Sequence, residues 1–265
     1  MHVVHHAAGT HVGNVREHNE DYFRVNTDIG LYVVADGLGG HASGEVASEI
    51  AVETIEQQVK QGASLVEAIE RAHHAILRGV ETGAGKTGMG TTVVAIQLHE
   101  NDYTLAWVGD SRAYLWSGEL QQISKDHSLV QMLIDSGQIS EVEARMHPRK
   151  NVIYQNLGAE ELDHLRVSVK HGSLYKGQKL ILCSDGLSDE VDDDTINNII
   201  TQGCEEGRSG DEMVDELIDA ALEKGGQDNI SIIIVSAPEG AQERERSAPL
   251  GNNADKDTLV PQEQE

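Results

Sequence analysis

Tyr22-Phe23-Arg24-Val25 and Leu31-Tyr32-Val33-Val34-Ala35, joined through Asp28-Ile29-Gly30 and closing on Asp36-Gly37, decide the fold. Both runs are rich in β-branched and aromatic residues and turn residues link them, so they read as a hairpin. Beyond Gly37-Leu38-Gly39-Gly40, apolar residues at Val46, Ile50, Ala51, Ile55 and Val59 recur at helical spacing, and Leu65, Ile69, Ala72 and Ile76 repeat the pattern. Two consecutive helices after a hairpin do not suit the strand-helix alternation of a doubly wound parallel sheet. They indicate an α+β class, with antiparallel sheets covered by helices.

The rest of the chain agrees. A short strand precedes the hairpin, residues 79–90 read as a loop, and residues 91–96, 103–108 and 113–116 form a meander of β-rich runs. Between Asp126 and Asn156 a helical piece around Leu129-Val130-Met132-Leu133 opens a polar, Pro-containing segment that reads as a mobile flap. Strand character returns at residues 165–169 and 180–183. Asp192-Asp193-Asp194-Thr195 lacks the glycine and terminal Glu of an EF-hand loop, so its carboxylates are expected at the N-terminus of the helix carrying Ile196, Ile199 and Ile200. A helix over residues 213–222 and a strand over residues 230–235 follow. Residues 1–236 are expected to form one catalytic domain and residues 237–265 a disordered acidic tail.

At 265 residues the chain is long enough for one large domain burying roughly 70–75% of its unfolded surface. Its net charge of -25, from 20 Lys+Arg against 45 Asp+Glu, disfavours nucleic acid and anionic membranes as partners. Cys183 and Cys204 have neither metal-ligand spacing nor a disulfide framework, and Cys183 is expected in a core strand. No apolar run approaches the ~18 residues of a membrane span, and the N-terminus lacks a signal-peptide stretch. A soluble, cytoplasmic monomer is expected.

Acidic residues close several apolar runs or flank them: Glu20-Asp21, Asp36, Asp110, Asp185 and Asp228. Carboxylates beside buried strands are costly unless something offsets their repulsion, and divalent cations do so directly. Asp36, Asp110, Asp185 and Asp228 supply only oxygen, which favours Mg²⁺ or Mn²⁺ over Zn²⁺. Ions ~3.5–4 Å apart activate a water for in-line attack on phosphorus, and a guanidinium is the matching clamp for phosphate oxygens. Arg16 is the candidate clamp.

Plainer readings exist for each residue alone. A single Asp-Gly is commonly a turn, Arg16 suits a surface pair with Glu17 or Glu20, and Asp110 suits a pair with Arg112. His2, His5, His6 and His11 read as exposed side chains at a fraying terminus, and His127 as a structural hydrogen-bonding residue. Gly37 to Gly40 lack the Gly-Lys-Ser/Thr ending of a nucleotide loop. Their joint occurrence favours one metal site.

Taken in order, Arg16-x-x-Asn19-Glu20-Asp21, Asp36-Gly37-x-Gly39-Gly40-His41-x-x-Gly44-Glu45, Gly90-Thr91-Thr92, Val108-Gly109-Asp110-Ser111-Arg112-Ala113-Tyr114, Asp126-His127-Ser128, Ser184-Asp185-Gly186-Leu187 and Asp228-Asn229 resemble a known motif series. It is that of the PP2C-type (PPM) metal-dependent Ser/Thr protein phosphatases, bacterial branch, and it covers about residues 10–236. The resemblance implies an α-β-β-α sandwich of two antiparallel sheets flanked by helices. It implies that Asp36 bridges two Mn²⁺ or Mg²⁺ ions, with the Gly37 carbonyl on one and Asp185 and Asp228 on the other. Glu20 would act through coordinated water, and Asp110 with Asp185 would hold a possible third ion. Arg16 would bind phosphate, while Asp21 and Asn229 would orient ligands from behind. The attacking group would be a metal-bridging hydroxide.

One position departs from the series. Animal members commonly carry a histidine two residues after the bridging Asp, thought to protonate the leaving group, where this chain has Leu38. The general acid is left to a bound water near Asp110 or to His41. The implied substrates are phosphoserine and phosphothreonine proteins, and the implied partner is a cognate bacterial Ser/Thr kinase. An aspartate-nucleophile phosphatase of haloacid-dehalogenase type would need a second Asp two residues after the first, which Gly37-Leu38 does not provide. A catalytically dead phosphopeptide-binding scaffold would not need the complete ligand set.

Overall fold

The hairpin expected from the sequence is formed by Tyr22–Asn26 and Leu31–Ala35, paired antiparallel with Tyr22 opposite Ala35 and Asn26 opposite Leu31. The computed structural model describes residues 4–39, 43–159, 165–238 and 240–241. In chain order the elements are β1 (His6–His11), β2 (Tyr22–Asn26), β3 (Leu31–Ala35), β4 (Gly37–Leu38), α1 (Gly44–Lys60), α2 (Leu65–Thr82), β5 (Gly90–Thr91), β6 (Val93–His99) and β7 (Asp102–Val108). They continue with β8 (Arg112–Trp116), β9 (Leu120–Gln122), α3 (Leu129–Asp135), α4 (Glu141–Arg145), β10 (Ser168–Ser173), β11 (Lys179–Cys183), α5 (Asp185–Ser188), α6 (Asp193–Glu206), α7 (Gly210–Lys224) and β12 (Ile230–Ser236).

Two five-stranded sheets result, ordered β1-β12-β11-β8-β9 and β10-β7-β6-β3-β2, beside a small β4-β5 pair. Alternation along β3 sends Leu31, Val33 and Ala35 toward Ala51, Ile55 and Ile69 of α1 and α2, and sends Tyr32 and Val34 between the sheets. On β12, Ile232 and Ile234 face Ile200 of α6 and Leu217 of α7, while Ile233 and Val235 complete the layer between the sheets. Both faces of each sheet are thus covered, which is why the central strands read as unbroken apolar runs although their pairing is antiparallel. The layers are α-β-β-α.

Helix ends follow local chemistry. Ser64 with Glu67 and Ser209 with Glu212 form capping boxes, and the Asp192 carboxylate accepts the Thr195 N–H at 2.8 Å, the N-terminal role expected for the Asp triplet. Cys183 is buried in β11, as expected.

Several boundaries differ from the sequence reading. Residues 79–82 belong to α2, which closes on Gly83 in the left-handed conformation (φ 79°), while Gly79 packs inside against Ile50 and Met89. The strand expected at residues 165–169 lies at Ser168–Ser173, because Leu165 and Val167 pack onto the helix-side core instead of joining the ladder. His6 and His11 are not on a fraying end, since β1 pairs with β12 along its whole length. The short elements β4, β5, β9, α4 and α5 had no separate expectation. Most of the tail, together with Gly40 and His41, lies outside the described residues, and among the described residues no helix is long and apolar enough to cross a membrane.

The register brings one end of many strands to a single edge of the sandwich. Ala35 lies opposite Tyr22, Val93 opposite Val108, Cys183 opposite both Arg112 and Ile232, and His11 opposite Ile230. The residues just beyond those positions meet there: the β1-β2 loop, Asp36, Asp110, Asp185 and Asp228. Replacing Ile233, fully buried between the sheets, by Ala should cost about 2–5 kcal/mol. Urea unfolding measures this, and a loss below about 1 kcal/mol would contradict the packed inter-sheet layer.

Candidate functional site

Asp36 leaves β3 with its backbone held on both sides. Its N–H donates to Thr92 Oγ1 at 3.2 Å, and its carbonyl accepts from Thr92 N–H at 2.9 Å and Thr91 Oγ1 at 2.8 Å. Thr92 Oγ1 is also 2.6 Å from Ser111 Oγ, so the turn carrying Asp110 is tied to the same point. Gly90-Thr91-Thr92 therefore acts as a backbone clamp, a function its sequence did not disclose. The Gly37 N–H donates to the Glu20 carbonyl at 3.2 Å, which joins the β1-β2 loop to the end of β3.

Asn229 staples that loop from the other sheet. Its side-chain amide donates to the carbonyls of Val12 at 2.8 Å and His18 at 2.9 Å, and its Oδ1 accepts the Glu20 N–H at 2.7 Å. The supporting role expected of Asn229 is thus exerted through backbone. Asp21 is buried, and its Oδ2 accepts from Ser184 Oγ at 2.7 Å while its Oδ1 has no hydrogen-bond partner. Ser184 in turn accepts the Ser231 N–H at 2.9 Å, so Asp21 is linked through Ser184, just past β11, to β12. Glu20 takes a hydrogen bond from the backbone at Gly44, the first residue of α1.

The carboxyl groups raise one another's proton affinity. Burial pushes Asp36 well above the carboxylate range, and the charges of Asp185, Asp21, Asp110 and Asp228 add to it. Asp185 is driven up to about 7 by burial first and then by Asp189 and Asp228, while a hydrogen bond to Asp36 opposes the rise. Asp21 likewise reaches about 7, chiefly by burial, with Asp185 and Asp228 contributing. Burial and then Asp185 lift Asp110 strongly. A hydrogen bond between two carboxyls requires a shared proton, so like charges at this edge do not all coexist without a counter-ion.

Arg16 is placed at the rim, not against Glu17 or Glu20. Its guanidinium pairs with the Asp228 carboxylate at 2.6 Å and is about half exposed, with a side-chain relative exposure of 53%. That hydrogen bond raises its pKa, and Asp228, Glu20 and Asp185 add electrostatically. Arg112 does not pair with Asp110: it grips Asp126, with contacts of 3.2, 3.0 and 2.7 Å. The flap segment carries α3 and α4 and meets the body through Lys150–Asp189 at 2.8 Å and Arg145–Asp193 at 3.4 Å. A pocket of about 140 Å³ lies between them, lined by Asp110, Asp185, Asp189, Arg112, Arg145 and Lys150 among others.

The donor chemistry fits hard divalent cations. All acidic donors are oxygens, Asp21 Oδ1 is buried without a partner, and the buried carboxyls repel one another. Among the described residues no three such side chains are closed into ligating geometry; Asp228 pairs with Arg16, and Asp185 shares a hydrogen bond with Asp36. Of the expected site residues, Glu20, Asp21, Asp36, Gly37, Asp110, Asp185, Asp228 and Asn229 share this edge with Arg16. His41 lies outside the described residues; Ser231 enters without any motif to mark it, while Thr92 and Ser184, quoted in the motif series, enter with hydrogen-bonding roles the sequence did not assign.

Comparison with known proteins identifies the family. A family model described as Protein phosphatase 2C matches residues 8–223, and the chain belongs to that family. The chain is similar to the serine/threonine phosphatase stp of Listeria welshimeri, 36% identical over 240 residues that cover 84% of this chain and 92% of that protein. The crystal structure of the Mycobacterium tuberculosis serine/threonine phosphatase PstP/Ppp superposes with a TM-score of 0.79 at 34% identity, covering 91% of this chain and 99% of that one. The catalytic domain of PstP in complex with 2 manganese ions gives a TM-score of 0.78 at 34% identity, covering 89% of this chain and 99% of that one.

A raised carboxyl pKa has a definite sign for stability. The folded state keeps protons that the unfolded chain releases near pH ~4, so stability of the metal-free protein should fall as pH rises from there toward about 7, the value reached by Asp21 and Asp185. Thermal melting in EDTA between about pH 5 and about pH 8 should show this decline, Mn²⁺ should remove it, and Asp36→Asn should flatten it. A decline of equal steepness in wild type and Asp36→Asn would show that these carboxyls do not govern it.

Proposed function

We propose that this protein hydrolyses phosphoserine and phosphothreonine in proteins with Mn²⁺ or Mg²⁺ held at the sandwich edge. The observation that carries this reading is the grouping of half-buried Asp36, Asp110 and Asp185 with buried Asp21 within one another's electrostatic field, with Arg16 at its rim. Family membership supplies the reaction class, and the named relatives are serine/threonine phosphatases.

Asp36 would bridge two ions, assisted by the Gly37 carbonyl, with Asp185 and Asp228 holding one of them and Glu20 acting through water. Asp110 with Asp185 would take a further ion. When bound, the ions lower the pKa of a coordinated water, producing the nucleophile at neutral pH, and neutralise charge on the phosphoryl oxygens. Arg16 supplies a planar fork for those oxygens, and its exposure leaves it free to exchange Asp228 for a dianionic ester. Asp21 and Asn229 hold the β1-β2 loop and the strand ends in place. Leu38 has no proton to donate to the leaving alkoxide, so that role falls to water or to a residue outside the described set.

The partner consistent with this reaction is a Ser/Thr kinase whose products are the substrates. The net charge of -25 disfavours nucleic acid and anionic membranes as partners, and we infer a cytoplasmic monomer. Residues 1–236 would be the catalytic domain and the remainder a tail.

Phosphate release from pSer, pThr and pTyr peptides tests the reading. Release should be rapid from pSer and pThr with Mn²⁺ and lost in EDTA, whereas binding without turnover would favour a scaffold. In the same assay Arg16→Ala should raise KM by about tenfold or more, in line with about 1.5–3 kcal/mol for a charged hydrogen bond. Unchanged KM and kcat would remove Arg16 from the site.

A further inference from the structure

Asp126-His127-Ser128 grips the chain on both sides of the Asp110 turn. Asp126 holds Arg112, Ser128 Oγ accepts the Gln131 N–H at 3.3 Å to cap α3, and His127 engages Gly109. Gly109 has φ 107°, a conformation side chains rarely adopt, and a Cβ there would lie 2.6 Å from Thr92 Cγ2. The turn that presents Asp110 therefore pivots on a residue with no side chain to brace it.

We propose that His127 is a positioning residue that locks the Gly109 turn and so aims Asp110 at Asp185; the proposal rests on Asp110 being an ion ligand. The Gly109 N–H donates to His127 Nδ1 at 3.1 Å, and the His127 N–H donates back to the Gly109 carbonyl at 2.9 Å. Both peptide groups of the pivot are thus held by one residue. The ring is itself fixed: it stacks on Trp107 at 6.3 Å and 23°, lies against Tyr154 at 5.6 Å, and its Nε2 is 2.9 Å from Ser168 Oγ. Gln155 Nε2 also approaches Nδ1, at 3.3 Å. Two donors directed at Nδ1 require it to be bare, so the proton sits on Nε2 and points to Ser168. Burial, which lowers the His127 pKa, supports this neutral form.

Asn and Gln substitutions separate the two ring nitrogens, because Asn Oδ1 falls near the place of Nδ1 and Gln Oε1 near that of Nε2. His127→Asn should keep the Gly109 amide protected from hydrogen exchange and keep Mn²⁺ affinity and kcat near wild type. His127→Gln should expose that amide, weaken calorimetric Mn²⁺ binding at the weakest site by about 10–100-fold, and lower kcat similarly with KM unchanged. Equal Gly109 protection in both variants would overturn the proposal. Asp110→Ala, measured beside them, separates two ways of failing. Wild-type Mn²⁺ binding in that variant would remove Asp110 from the ion site and the proposal with it; weakened binding there, with normal binding in His127→Gln, would remove only the clamp.

Discussion

Like-charged carboxyls crowded together, most of them half-buried, at one edge of a β-sandwich are the constraint on which the rest of this molecule depends. Isolated ionised carboxylates are expensive away from water, and adjacent ones repel, so this edge must be held in shape by something other than its own chemistry. The fold supplies that restraint. Two sheets covered on their outer faces by α1, α2, α6 and α7 fix the strand ends, and Asp36, Asp110, Asp185 and Asp228 lie one or two positions beyond them.

The loops between strands are then tied by backbone hydrogen bonds, which do not change with protonation. Asn229 holds the backbone of Val12, His18 and Glu20, and Thr91 and Thr92 hold that of Asp36. An edge organised before an ion arrives loses little freedom on binding one, which is how preorganisation becomes affinity. The same stiffness holds the strand ends that carry the carboxylates, while Arg16, half exposed at the rim, is free to turn toward an incoming phosphate.

Asp36, Asp185 and Asp228 were legible from the sequence because each adjoins an apolar run, and a strand gives its end residue an address. The α+β class was legible for a similar reason, since the helical and strand periods switch cleanly at Asp36 and again after Asp192, whereas the α-β-β-α layering was implied only by the family resemblance. Partners distant in sequence were not. Nothing local marks Arg16 as the partner of Asp228, or Asn229 as the staple of a loop more than 200 positions away. The strand Ser168–Ser173 was misplaced because an edge strand with one exposed face lacks the apolar signal, while Leu165 and Val167, which carry that signal, pack elsewhere. α4 had a readable cue in its Ser140-Glu143 capping box, but five residues are too few for periodicity to show.

Anomalous diffraction from crystals grown with Mn²⁺ tests the central claim most directly. Two strong peaks should appear at the sandwich edge with the Asp36 carboxylate between them and those of Asp185 and Asp228 beside one. Crystals of active enzyme with Mn²⁺ bound elsewhere, or with Asp36 remote from every peak, would contradict it.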